Sequence, residues 1–319
     1  MLQGLANLGN TCSINTLIQC LGHCDPFRKA LLDCTAFTKK KDNRFSLTEE
    51  LQRIIRDMWI HEKSLMPIRM AKCFQEVIGI RLGEQLDFSE LFMLTLNAIV
   101  EETHSDSFKS KLITDYKPKD PINKHIQKVT LEAWKLHLKD SASVFGDIFK
   151  GTQIQQIKCN HCGKTYHNVE PLTCTYIELV HDDLGKCMDG FHRTEELTDW
   201  VCDKCKEKSA ERIWRFWDLP EVWVVVLKRF DHEKKIHKPI QIMHSFEIPA
   251  LCQPKIMLRY ELVAIANHFG SLNGGHYNAI CRDSDGWYLY DDTHISKVNI
   301  DEVLHSNHGA YVLFYQRLQ

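Results

Sequence analysis

No stretch of this 319-residue chain approaches the ~20 consecutive apolar residues that a membrane-crossing helix requires; the strongest run, Val222 to Leu227, has the length and β-branching of a buried strand. A field of one sign is missing as well. Forty basic residues face 42 acidic ones, a formal net charge of -2, which argues against nucleic acid, a membrane surface or another polyanion as the main partner. Before Gly4 there is no basic region leading into an apolar one, so no signal peptide is read there. Internal repeats and low-complexity linkers are absent. The short runs Lys39-Lys40-Lys41 and Lys204 to Lys208 read as solvated loops.

What remains is a globular composition, 44% hydrophobic, enough for one large domain or two ordinary ones. Thirteen cysteines would suit a secreted disulfide scaffold, but the chain is long, the count is odd, and several lie inside apolar helical patterns such as Leu17 to Cys24. A reducing compartment, cytosol or nucleus, is the expectation. Residues up to about 110 read mostly as helices. Ser46-Leu47-Thr48-Glu49 resembles an N-cap with its acidic box partner ahead of Leu51, Ile54, Ile55 and Met58, and a second helix runs from about Asp87 to Val100. From about Val144 onward, short β-branched runs such as Thr173 to Val180 read as strands, so the fold class is α+β.

Cys12 closes the turn Gly4-Leu5-Ala6-Asn7-Leu8-Gly9-Asn10-Thr11 and opens an amphipathic helix with Ile14, Leu17, Ile18 and Leu21 on its inward face. Backbone N–H groups at a helix entrance and the helix dipole favour thiolate over thiol, which makes a cysteine nucleophilic; the competing reading is a buried structural cysteine. Two Cys-x-x-Cys units, Cys159/Cys162 and Cys202/Cys205, have zinc-ribbon spacing. Each pair can present two sulfurs to one ion, and four thiolates leave zinc no open position, so the metal would be structural. A thioredoxin-type redox pair is the alternative, but neither pair lies at the strand-to-helix junction that redox use requires.

Near the C-terminus, Leu262 to Ala266 and Tyr277 to Arg282 read as strands around a glycine-rich loop, Phe269 to Gly275, that ends at His276. Asp283-Ser284-Asp285-Gly286 is a turn before Trp287 to Asp292. If Arg282 pairs with Trp287, Asn278 lies opposite Asp291, and His276 is the diagonal neighbour of Asp291 on one face, with Asp292 on the other. A one-residue bulge would exchange the two acids. Cys12, His276 and Asp291 then make the nucleophile, base and orienter of covalent hydrolysis. His268, the competing histidine, suits a loop anchor or substrate contact better than a base.

These segments together resemble the ubiquitin-specific protease family, the papain-like deubiquitinases, over nearly the whole chain. Gly4 to Cys12 with Asn15 and Gln19 is similar to the family's cysteine box, except at Ser13, where an aromatic residue is usual. Gln85 to Leu91 resembles its Gln-x-Asp-x-x-Glu helix, with Phe88 in place of a small residue. Phe149-Lys150-Gly151 leading to Cys159 is similar to the entry of the zinc-bearing fingers. Leu227-Lys228-Arg229-Phe230, Gly275-His276-Tyr277 with Trp287 to Asp292, and Ala310 to Tyr315 match further boxes in order.

The resemblance implies a single papain-like catalytic domain over 1–319: a helical thumb (1–115), a β-sheet palm (116–150 and 215–319) and zinc-ribbon fingers (151–214). It implies that Cys12 attacks the carbonyl after the terminal glycine of ubiquitin and that His276 takes and returns the proton. Asn7 and the Cys12 N–H would donate to the oxyanion. Gln85, Asp87, Glu90, His268, Gly275 and Tyr277 would contact the substrate, Asp87 and Glu90 through arginines of the ubiquitin tail. The loop Phe269 to Gly275 would be a blocking loop that moves to admit that tail. Structural Zn2+ on Cys159, Cys162, Cys202 and Cys205, no catalytic cofactor, ubiquitin as partner and a monomeric state complete the expectation. Because it begins three residues before the cysteine box and ends just after the closing strand, the chain is expected to be a bare catalytic domain. Other readings are a protease for a ubiquitin-like modifier, a non-catalytic ubiquitin-binding pseudo-protease, and a nucleic-acid-binding zinc ribbon, the last disfavoured by the near-neutral charge.

Overall fold

In α1 (Cys12–His23), all twelve residues are buried, the polar ones included. The expected amphipathic helix with one inward face is therefore a core helix, and two of its polar side chains bond the backbone of the N-terminal segment. Asn15 Nδ2 donates to the carbonyls of Leu5 (3.1 Å) and Ala6 (3.3 Å), and Gln19 Nε2 to that of Gln3 (2.8 Å). These amides hold the N-terminal segment as an extra layer over the helix, which is why α1 has no solvent side. The computed structural model describes residues 3–38, 44–60, 64–84, 86–108, 110, 121–138, 142–230, 234–249, 257–271 and 274–318.

Around α1 gather α2 (Asp25–Asp33), α3 (Leu47–Ile60), α4 (Ile68–Ile78) and α5 (Phe88–Glu102). Ser46 caps α3, its hydroxyl accepting from the N–H of Glu49 (3.2 Å). The acid that completes this cap is Glu102, from the last turn of α5, and not the expected Glu49. Its carboxylate accepts from Ser46 Oγ and from the N–H groups of Leu47 and Thr48, all at 2.8 Å. A buried carboxylate thus satisfies one helix's unpaired N–H groups and joins two helices. Beyond the expected helices lie α6 (Pro121–Leu138) and α7 (Val144–Phe149); the latter occupies a stretch expected to begin the strands, and is nucleated by Ser143, whose hydroxyl accepts from Phe145 N–H.

Among the described residues the strands form two sheets. β1 (Gly151–Cys159), β2 (Thr165–Leu172), β4 (Glu195–Val201) and β5 (Lys208–Asp218) make a four-stranded sheet in the order β2-β1-β5-β4. Between β2 and β4 the chain leaves it: β3 (Cys174–Glu178), in the stretch assigned to the fingers, runs parallel to β6 (Val222–Lys228) at one edge of an eight-stranded sheet. α8 (Leu184–Asp189) follows β3. The large sheet continues through β7 (Ser245–Pro249), β8 (Met257–Gly270), β9 (Gly275–Asp283), β10 (Gly286–Asp291) and β11 (His294–Val298); after α9 (Ile300–His305), β12 (Ala310–Arg317) enters between β8 and β6.

Both faces of this sheet are covered, so β6 reads as a continuous apolar run and not as an alternation. Val222, Val224 and Val226 join the core shared with the helices, while Trp223, Val225 and Leu227 join the core on the far side. Ala264, Ala266 and Ala279 lie under α1, and their small side chains let the helix sit close to β8 and β9.

His23 ends α1 against this sheet, Nδ1 at 2.7 Å from the Gln19 carbonyl oxygen and Nε2 at 3.3 Å from the Tyr290 hydroxyl. Burial lowers its pKa from 6.5 to about 4, against the Gln19 carbonyl, which favours the cation. The unfolded chain takes up this proton first, so the neutral imidazole's contribution is intact above pH 6.5 and is lost as pH falls toward 4, by about 3 kcal/mol. The stability gap between wild type and His23→Gln, measured by urea unfolding, is expected to narrow by that amount between about pH 7 and pH 4. A gap that does not change with pH would show that His23 titrates as it does in the unfolded chain.

Candidate active site

The turn before α1 is wound on its own side chains. Asn7 Oδ1 accepts from the N–H groups of Gly9 (3.0 Å) and Thr11 (3.1 Å), and Thr11 Oγ1 accepts from Leu8 N–H (2.8 Å). Gly9 and Asn10 take positive φ, 94° and 56°, and the chain reaches Cys12 with no side chain capping the helix. Cys12 is 5% exposed, and the N–H of Tyr277 on β9 reaches its sulfur. Helix-entrance N–H groups do favour the thiolate, but burial outweighs them and the nearby Asp292 carboxylate adds to it, so the thiol lies above its ordinary pKa. Cys12 thus combines the helix-entrance donors with the burial of the competing structural reading.

β9 and β10 pair in the anticipated register, from Asp283↔Gly286 through Arg282↔Trp287 to Ala279↔Tyr290, without a bulge. The next residue on β10 is Asp291, whose Oδ1 hydrogen-bonds His276 Nε2. Nδ1 is the imidazole nitrogen that Asp291 does not engage. Asp292, at a left-handed φ of 51°, hydrogen-bonds to the cysteine segment, while a carboxylate oxygen of it still lies within 4.8 Å of His276 and Asp291. Its Oδ2 accepts from Asn7 Nδ2 (3.0 Å), its Oδ1 from Asn15 Nδ2 (2.8 Å), and its carbonyl from Leu5 N–H (2.9 Å). A side chain on Gly4 would come within 2.7 Å of that carbonyl oxygen, so only glycine lets the segments close. Sequence reasoning noticed Asn15 only as part of a motif and missed this bridge, which no local spacing encodes.

Of the anticipated substrate residues, Gln85 lies outside the described residues. Asp87 is the N-cap of α5 and not part of its exposed face: Oδ1 accepts from Glu90 N–H (3.0 Å) and Ser89 Oγ (2.6 Å), and Oδ2 from the Tyr311 hydroxyl (2.6 Å). Glu90 is exposed in the first turn. Tyr277 is buried, with its ring 4.6 Å from that of His268. Gly275 begins β9 opposite Gly270, and a side chain there would collide with the His268 ring. His268 is 2% exposed; burial, then the charge of Lys235, lower its pKa to about 4. It is a neutral anchor beneath the hairpin.

At the far end of the four-stranded sheet, the ligand sulfurs of Cys159, Cys162, Cys202 and Cys205 all lie within 4.8 Å of one another. Two pairs join the two knuckles: Cys159 to Cys205 and Cys162 to Cys202, each 3.6 Å. A tetrahedral shell of thiolates about 2.3 Å from zinc has sulfur-to-sulfur edges of about 3.8 Å, so the four fit that ion. Gly163 N–H donates to Cys159 O (3.1 Å) and Lys206 N–H to Cys202 O (2.8 Å); both residues take positive φ, and this tight turn presents two sulfurs per knuckle. Tyr166, whose hydroxyl is 3.4 Å from Cys202 Sγ, lowers that thiol to about 6, toward the form that ligates metal.

A family model described as ubiquitin carboxyl-terminal hydrolase matches residues 3–315. Among curated relatives, ubiquitin carboxyl-terminal hydrolase 21 of Bos taurus is 28% identical over 99% of this chain and 61% of its own length, and Usp2 of Drosophila melanogaster is 28% identical over 99% of this chain and 35% of its own. The chain thus spans about three fifths of the length of the first of these relatives. Among solved structures, a chain of the SAGA Ubp8/Sgf11/Sus1/Sgf73 DUB module bound to ubiquitin aldehyde superposes with a TM-score of 0.76 at 22% identity, covering 100% of this chain and 70% of that one. That likeness is one of fold.

The raised thiol predicts a pH profile. Alkylation of Cys12 by iodoacetamide is expected to rise with a midpoint above that of an ordinary thiol, and Asp292→Asn to bring it down by removing a negative charge near the sulfur. A wild-type midpoint near neutrality, or one that Asp292→Asn leaves in place, would refute the electrostatic account.

Proposed function

The chain belongs to the ubiquitin carboxyl-terminal hydrolase family, and on that premise we propose that it is a cysteine-type deubiquitinase cutting the bond after the C-terminal glycine of ubiquitin. The observation that carries the reading is the His276 Nε2 to Asp291 hydrogen bond, which orients the ring and frees Nδ1, on a strand whose next N–H meets the sulfur of Cys12. His276 accepts the thiol proton at Nδ1, the sulfur adds to the carbonyl carbon, and the proton passes to the departing amine as the carbon–nitrogen bond breaks. Water, deprotonated by His276, then cleaves the thioester and restores the thiol. Forming a cation at His276 as the anion forms at sulfur suits a buried thiol that ionises poorly alone.

Asn7 supports an oxyanion site. Its Oδ1 is tied into the turn and one Nδ2 hydrogen to Asp292, so the second Nδ2 hydrogen is the donor, alongside the Cys12 N–H. Asp87, Glu90, Gly275 and Tyr277 are the proposed contacts for the ubiquitin tail, with Asp87 oriented by Tyr311 and Ser89. Zinc on the four cysteines would hold the two knuckles of the four-stranded sheet together and supply no reactive position. We assign ubiquitin conjugates as partners, a monomeric state and a cytosolic or nuclear setting on the same reading.

Cys12→Ala is expected to lower hydrolysis of a fluorogenic ubiquitin amide by about three orders of magnitude or more while ubiquitin still binds. Undiminished turnover in that variant would sink the mechanism, and labelling of Cys12 only by probes built on another modifier would overturn the substrate. Metal analysis of chelator-free protein should find about one zinc per chain, and its removal should lower the unfolding midpoint. Four freely titrating thiols in the native protein would remove the zinc assignment.

A further inference from the structure

Lys235 follows β6 on a strap outside the named strands, yet it is 7% exposed. Its ammonium donates to His268 Nδ1 (2.8 Å) and to the main-chain carbonyl of the same residue (2.7 Å), with the Phe230 ring centroid at 5.8 Å. Among the described residues no carboxylate forms an ion pair with it. Its charged neighbour is Arg229, a fully buried guanidinium held by the carbonyls of Ala310, Ile236, Lys238 and Asn307. Burial, and then Arg229, lower Lys235 to about 8. Desolvating a cation beside another is unfavourable, and methionine would fill the same volume without that burden. What methionine cannot do is grip one residue by both its ring and its backbone.

The gripped residue is well placed. His268 pairs with Tyr277 across the β8–β9 hairpin, and the following pair is Phe269 with His276. With Lys235 donating to Nδ1, the imidazole carries its own proton on Nε2, the edge that meets Gly275. The ring is therefore the floor on which the start of β9 rests. Phe230 links it onward: its ring lies 5.3 Å from His268 and 5.0 Å, edge-on, from Tyr311, which donates to Asp87.

We propose that Lys235 is a positioning residue which, by clamping His268, sets the Gly274–Gly275 lip over which the ubiquitin tail enters; this deepens the deubiquitinase reading and rests on it. Lys235 touches neither the reacting atoms nor the tail. Its contribution should appear in substrate binding and leave the chemistry of Cys12 alone.

The test is steady-state hydrolysis of ubiquitin carrying a fluorogenic C-terminal amide by wild type, Lys235→Met and Lys235→Gln, with iodoacetamide alkylation of Cys12 run in parallel. Lys235→Met should raise KM about tenfold, the equivalent of one charge-assisted hydrogen bond, with kcat and alkylation little changed. Lys235→Gln keeps an amide donor and should fall between that variant and wild type. If the methionine variant fails to fold, the glutamine variant decides by its KM. An unchanged KM in the folded variants, or a joint fall of kcat and alkylation, overturns the anchor. A wild type that hydrolyses no ubiquitin substrate instead removes the deubiquitinase reading, and the anchor with it.

Discussion

Asp292 binds the two ends of the chain into one site, and much of the geometry depends on it. Adjacent carboxylates that both lie within 4.8 Å of His276 take different hydrogen-bond partners, Asp291 the imidazole and Asp292 the cysteine segment. Through two carboxylate oxygens and one carbonyl Asp292 holds Asn7, Asn15 and Leu5, while Leu5 bridges to Leu65. The turn bearing Cys12 is thereby pressed between α1 and the β10–β11 turn. Were that connection to shift, the Asn7 amide and the histidine strand would lose their common frame, because nothing local ties residue 7 to residue 276.

This arrangement has an electrostatic consequence. The carboxylate that positions the cysteine segment also opposes ionisation of the sulfur, in the same direction as burial. Main-chain N–H groups work the other way without prevailing. The Cys12 sulfur is consequently best ionised together with a cation, which is what an imidazole oriented by Asp291 can become. Positioning and thiol acidity draw on the same carboxylate, and positioning dominates in the free protein.

The large sheet supplies the rigidity this needs. β8 and β9 are buried on both faces along most of their length, and alanines under α1 bring the cysteine helix close to the strand carrying His276. Below the hairpin, two buried cations, Arg229 and Lys235, hold loop carbonyls and His268 in a region with little room to relax. The four-cysteine cluster stands at the far end of a different sheet, so a metal held there would be physically separate from Cys12.

Local patterns were legible in the amino-acid order. The turn Asp283 to Gly286 set the β9–β10 register, and period-two alternation then put Asp291 beside His276; Cys-x-x-Cys spacing marked both knuckles, and the glycine-bearing turn marked the entrance of α1. These are relations among neighbours, where backbone geometry leaves few choices. Other features depended on which distant surfaces meet. Glu102 displaced Glu49 as the acidic partner of the Ser46 cap on α3, α1 proved buried on every side, Asp87 turned inward to Tyr311, β3 crossed to the large sheet, and Lys235 found His268. Each exchanges hydration for one nonlocal partner, and that choice is made only when the helices close over the sheet, since no spacing along the chain records which buried donor will face which acceptor.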